Sequence, residues 1–172
     1  FLKNIKSTLI PVVTVPISIV STFIFLNFFG FSLNLITLLA LVLCTGLVID
    51  DSIVMLENIH KKIEEGESKF QASINGSKEV LFAILSTSVV LISIFMPIIF
   101  LEGDTAKLFL ELSITIISAV FFSTVISITL TPMLCSKILD HSKQKKQSKP
   151  FLEFYLKLLK FLLQNKFIYV LI

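Results

Sequence analysis

Four stretches of the chain are almost wholly apolar: Leu9 to Phe29, Leu35 to Leu56, Val80 to Leu101 and Leu108 to Met133. Each is long enough to cross a hydrocarbon core of about 30 Å, which takes roughly 20 helical residues. A fifth apolar run, Phe167 to Ile172, reads as the start of another span. Only Gly30-Phe31-Ser32-Leu33-Asn34 separates the first two stretches, so they form a tight antiparallel hairpin. The break from Glu102 to Lys107 is equally short, whereas Glu57 to Glu79 and Leu134 to Lys166 are long, polar and lysine-rich. The pattern predicts an all-α integral membrane protein, an antiparallel transmembrane helix bundle over residues 1–134. A linker over 135–150, an amphipathic helix over 151–166 and the truncated span over 167–172 follow.

Composition supports a lipid environment. The chain is 55% hydrophobic, with 17 Phe and no Trp, and its mean hydropathy of +0.93 is too apolar for a soluble core of this size. A net charge of +3 raises the question of nucleic acid. Arg is absent, however, and the lysines lie in loops and flanks, not in a stripe interleaved with stacking aromatics, which argues against nucleic-acid binding. Cys44 and Cys135 lie in apolar segments without metal-ligand spacing and read as packing residues. A chain that begins on Phe1 is expected to be a piece of a longer protein.

Sidedness follows from the lysines, because positive residues in short loops stay cytoplasmic. Of the fifteen, only Lys107 falls on one side; the other fourteen, from Lys3 to Lys166, fall on the opposite side. The spans therefore run outward, inward, outward and inward. In the lysine-rich tail, His141 to Pro150 reads as a charged linker. Phe151, Phe154, Tyr155, Leu158, Leu159 and Leu162 then recur at helical spacing, opposite Glu153, Lys157, Lys160 and Gln164. That pattern suits a helix in the inner membrane surface; the lesser alternative is a short soluble helix against a missing partner.

Asp50 and Asp51 stand out against this background. From Leu35 to Ile49 a helix reaches only about 22 Å, so the crossing is completed by Ser52 to Leu56 and the two carboxylates lie within hydrocarbon depth. An ionised Asp at a helix centre costs about 2.5 to 3.5 kcal/mol, somewhat less off centre. Neighbouring helical residues point about 100° apart, so both face a bundle interior only if it wraps that side of the helix. Two carboxylates this close resist simultaneous ionisation, which suits them to loading and releasing protons. The other open reading is a structural ion pair or hydrogen-bonded knot.

At these residues the chain resembles a known family. LVLCTGLVIDDSIVMLENIHKKIEEG is similar to the fourth transmembrane helix of the resistance-nodulation-division (RND) efflux transporters, drug-type branch. LIPVVTVPISIVSTF before it resembles the third helix, and IFMPIIFLEG and LSITIISAVFFSTVISITLTPMLC after it the fifth and sixth. The resemblance covers nearly the whole chain, as helices three to six and the start of helix seven. It implies a proton-driven antiporter of the bacterial inner membrane exporting hydrophobic or amphiphilic compounds, with Asp50 and Asp51 as the proton relay. It also implies a pairing Lys from a helix elsewhere in the protein, porter domains that bind substrate, and a homotrimer working with a periplasmic adaptor and an outer-membrane channel. Protons are the coupling ion, and no other cofactor is implied. Asp104-Thr105-Ala106-Lys107 departs from the family's more usual Gly followed by Arg or Lys, at a turn away from the relay.

Other residues add detail. Glu57 and Asn58 match the family motif and read as anchors at the helix end. Pro97 removes a backbone hydrogen bond and can kink the third span. Gly46, four residues before Asp50, is expected to admit a neighbouring helix. Thr45, Ser86, Thr87, Ser88, Ser123 and Thr124 are candidates for hydrogen bonds between helices. His60 and His141 form no metal site, and no nucleophile triad or phosphate loop occurs, so the chain is not expected to be an enzyme. The alternatives to a drug exporter are a nontransporting or decayed membrane fragment and an RND relative for another substrate class.

Overall fold

The structure, a computed structural model, describes residues 5–103 and 106–139. The linker beyond 139, the amphipathic helix expected over 151–166 and the span expected to start at 167 lie outside the described residues. The described chain is helical: α1 (Ile5–Phe28), α2 (Leu35–Glu64), α3 (Lys69–Phe95), a 3₁₀ turn (Met96–Phe100) and α4 (Ala106–Ile138). All four α-helices are long and apolar enough to cross a membrane. They form an all-α bundle in which α4 packs against each of the other three.

Local chemistry sets the turns. Gly30 takes a left-handed φ of 77°. That conformation lets Phe31 N–H donate to the Leu26 carbonyl at 2.9 Å and Gly30 N–H to that of Asn27 at 3.1 Å, closing α1. Asn34 then opens α2: its Oδ1 accepts from the N–H groups of Ile36 and Thr37, both at 2.9 Å, while Thr37 Oγ1 accepts from Asn34 N–H. The same device recurs between α2 and α3, where Gly66 has φ 102° and Glu67 N–H donates to the Lys62 carbonyl at 3.1 Å. Ser68 caps α3.

Three expectations change. The polar stretch Glu57 to Glu79 is mostly helix, with only residues 65–68 as a turn. At 30 residues, α2 measures about 45 Å, so it projects well past a hydrocarbon core of about 30 Å. In the same way α4 continues to Ile138, into the segment read as linker from 135. Pro97 does not kink a through-running helix; α3 gives way at Met96 to the 3₁₀ turn, whose first residues need no N–H donor.

The third change is the close approach. A Cβ on Gly46 would meet nothing within 4 Å, whereas one on Gly76 would lie 2.9 Å from Ile59 Cα. Among the described residues it is α3 at Gly76, and not a neighbour at Gly46, that packs backbone against backbone on α2. Asn58 fastens this crossing, donating from Nδ2 to the Gly76 carbonyl at 2.8 Å and to Glu79 Oε2 at 3.1 Å. Lys62 Nζ lies 2.6 Å from Glu79 Oε1, and Asn75 Nδ2 donates to Glu67 at 2.9 Å. Asn58 thus anchors, but from inside α2, which runs on to Glu64, and not from the helix end where the sequence placed it; Glu57 beside it is exposed.

The Lys62–Glu79 pair stands on the parts of α2 and α3 beyond the apolar stretches. The hydrogen bond from Lys62 holds the Glu79 carboxyl below its ordinary range, helped by Asn58. The same bond raises the Lys62 ammonium. A depressed acid stabilises above its ordinary value of 4.5 and loses that contribution as pH falls through its lowered value. A raised base stabilises below 10.5 and loses it as pH climbs through its raised value. Thermal unfolding should therefore show a flat contribution between those limits. Glu79→Gln should remove that contribution, leaving a shallower acid limb; an unchanged acid limb would rule out the pair.

Two apolar clusters hold the helices. Ile10, Met55, Leu56, Ile59, Ile84 and Cys135 meet towards the α2–α3 turn. Ala40, Leu41, Cys44 and Val48 of α2 meet Ile116, Ala119 and Val120 of α4 towards the other end. Both cysteines are thus packing residues. Large side chains such as Val42 (71% exposed) and Phe82 (80%) point out of the bundle, as lipid-facing positions do.

Candidate functional site

α2 runs through Asp50 and Asp51 without a break. The carboxylates are therefore in mid-helix. Asp50 lies at the surface of the described bundle and Asp51 is half-buried, the difference expected of side chains 100° apart. Both line one groove of about 580 Å³ between α2 and α3, with Val120 and Ser123 of α4 also lining it. The groove's other polar contributions come from Ser86 and Thr87; Leu47, Val54, Val90 and Leu91 make it largely apolar. With roughly 30 Å³ per water in the liquid, it has room for several waters or for side chains of another helix.

No lysine or histidine among the described residues pairs with either carboxylate. The ion pairs there gather at the α2–α3 turn, as His60 with Glu64 and Lys62 with Glu65 and Glu79. A cation that pairs with the two aspartates therefore comes from outside the described residues. Two adjacent carboxylates in a groove, with hydroxyls on the facing helices, can hold a shared proton and exchange it with water.

The candidate hydroxyls divide. Ser88 and Thr124 meet across α3 and α4 at 2.6 Å, and Ser123 donates to the Val48 carbonyl of α2 at 3.2 Å. Thr45 and Thr87 instead donate to carbonyls of their own helices. Ser86 is in the groove wall.

Sequence reading missed two arrangements. Thr14 Oγ1 donates to Ser52 Oγ at 3.2 Å, and Ser52 Oγ bonds Ser127 Oγ at 3.0 Å, joining α1, α2 and α4 beside the carboxylates. The available signal was a line of hydroxyls at helical spacing on α1, Ser7, Thr14, Ser18 and Thr22. At the opposite end from the lysines, Asn34 Nδ2 donates to Glu111 Oε2, tying the cap of α2 to α4. Glu111 was visible as a carboxylate inside an apolar stretch, but no local pattern names its partner.

The protein-family model described as the AcrB/AcrD/AcrF family matches residues 1–172.

Proposed function

The chain belongs to the AcrB/AcrD/AcrF family, a family of RND transporters, and from that premise we propose that it forms part of the proton-translocating membrane domain of a proton/drug antiporter. The observation that carries the reading is the adjacent pair Asp50 and Asp51, in the middle of an unbroken apolar helix and lining one groove. A pair that must load and unload protons needs access and a change of partners.

In this reading the protein spans the bacterial inner membrane with its lysine-rich end in the cytoplasm. Protons enter from the outer side, neutralise the carboxylates and leave inward, while a hydrophobic or amphiphilic compound leaves the cell. A lysine from elsewhere in the transporter pairs with the carboxylates in the unloaded state. The working assembly is a trimer with a periplasmic adaptor and an outer-membrane channel. The test uses the full-length parent in liposomes without ATP. Movement of an amphiphilic dye should follow an imposed pH gradient and stop when a protonophore collapses it. Equal dye movement with and without the gradient would overturn proton coupling.

A further inference from the structure

One turn of α4 is bonded to α2 and α3 at the height of the aspartates, and through α2 to α1. Ser123 Oγ donates to the Val48 carbonyl of α2 at 3.2 Å, and Ser127 Oγ lies 3.0 Å from Ser52 Oγ of α2. Between them, Thr124 Oγ1 meets Ser88 Oγ of α3 at 2.6 Å. Ser52 Oγ also accepts from Thr14 Oγ1 of α1 at 3.2 Å. All six hydroxyl residues are buried, at 6% exposure or less. The two bonds from α4 to α2 each join residues 75 apart in sequence, so the helices run parallel in one register, with those bonds one turn apart. Asp50 and Asp51 lie on α2 between them.

Ser52, Ser123 and Ser127 differ from the other hydroxyls of the bundle. A helical Ser or Thr ordinarily donates to the carbonyl one turn back on its own helix, as Thr22, Thr45 and Ser93 do. Among the described residues, the side-chain bonds of these three all cross to another helix. In an unbroken helix the Val48 carbonyl is also the one that Ser52 N–H meets, so both bonds from α4 take hold of the same turn of α2. Lipid tails are as apolar as Leu, so apolar faces fix the rotation of a membrane helix only through packing, and a buried hydroxyl that loses its partner has no water to turn to. Asp50 and Asp51 point about 100° apart, and Ser52 points about 100° beyond Asp51. With the pair spread so widely, a modest turn of α2 would carry one carboxylate out of the groove.

We infer that Ser52, held by Thr14 and Ser127, is a positioning residue, whose bonds set the rotation and height of α2 at which both carboxylates line the groove. It acts through the backbone that it shares with the pair. The orientation stands without the proton-coupled reading of Asp50 and Asp51; its consequence for transport rests on that reading. Among the described residues, the two aspartates are the only titratable groups in the groove wall, which α3 and α4 complete with the hydroxyls of Ser86, Thr87 and Ser123. The setting of α2 therefore decides which hydroxyls each carboxylate faces.

Labelling by dicyclohexylcarbodiimide, which enters lipid and adds to protonated carboxyl groups, reads the orientation in the full-length parent at a fixed pH where the parent is labelled. Mass spectrometry gives the ratio of adduct at Asp50 to adduct at Asp51. Thr14→Val keeps the shape of the side chain and loses the hydroxyl, whereas Thr14→Ser keeps the hydroxyl and loses a methyl. The valine variant should change the ratio by about threefold, the weight of one hydrogen bond between helices in a bilayer. Thr14→Val with Ser127→Ala should change it by about tenfold, the weight of two. Thr14→Ser should keep the parental ratio, and so should Thr22→Ala, which is equally buried but bonded within α1. A parental ratio in the double variant would overturn the positioning role. So would a larger change in Thr14→Ser than in Thr14→Val, because packing would then be the cause. In liposomes the double variant should lose about tenfold in the kcat of gradient-driven dye movement, with the KM for dye unchanged. Altered labelling alongside a parental kcat would overturn the role of this orientation in transport. Failure of the unsubstituted parent to follow a pH gradient would instead overturn the reading of the aspartates, leaving the labelling result to stand by itself.

Discussion

Asp50→Asn and Asp51→Asn should each abolish gradient-driven export by the full-length parent while membrane insertion and yield are preserved. Asn keeps the size of Asp and much of its hydrogen bonding but has no proton to give up at working pH. It is also cheaper to bury, since an ionised Asp at a helix centre costs about 2.5 to 3.5 kcal/mol on insertion scales. Stability and function should therefore move apart, with assembly at least as good as the parent's. Export should fall by about 100-fold or more, the scale on which positioned proton-transfer groups act. Dye efflux from cells and flux in liposomes measure the loss, and yield from washed membranes measures insertion. Parental export rates in both Asn variants would make the carboxylates structural, and the family membership would survive that result.

Gly76→Leu should separate α2 from α3 and take transport with it. A Cβ at this position would lie 2.9 Å from Ile59 Cα and 3.1 Å from Ile59 N. Backbone cannot swing aside as a side-chain tip can, so α3 itself would have to move. Gly76→Ala is expected to cost about 1 to 3 kcal/mol, the ordinary price of overpacking a closely fitted site. The leucine variant loses in addition the Asn58 bond to the Gly76 carbonyl and the Lys62–Glu79 contact just beyond it. Because α2 and α3 are the two walls of the aspartate groove, the damage extends to the site. Thermal unfolding in detergent followed by circular dichroism reads the stability. Ile59→Ala added to Gly76→Ala should restore little, since two of the three nearest atoms are backbone. Full recovery in that double variant would show the contact to be a side-chain clash. Gly46→Ala, with nothing within 4 Å in the described bundle, should be tolerated.

The site itself was partly legible. Asp50 and Asp51 declared themselves by polarity against an apolar run, and a length argument placed them inside one helix. Ser88, Thr124 and Ser123 were recognisable as bonding candidates, but so were Thr45 and Thr87, which turn back to their own helices. The set that joins three helices, Thr14 with Ser52 and Ser127, was passed over. Its members are common residue types, and their meeting depends on how α1 and α4 are rotated about α2.

What the sequence by itself determined is the four long apolar helices and the place of the carboxylates inside one of them. In lipid every backbone N–H and C=O must be satisfied within its own segment, so a long apolar run becomes a helix whatever its neighbours do. Turn chemistry is equally local, as Gly30 and Asn34 show. Tertiary structure alone decided that Gly76 and not Gly46 is the close approach, that Asn34 meets Glu111, and that the polar stretch after Leu56 continues as helix pinned by Asn58. The physical reason is that helical periodicity shows which residues share a face but leaves open which neighbour that face meets and at what height. Those two quantities come from fitting the surfaces of four helices together, and small residues and hydroxyls fit in many registers until the whole bundle selects one.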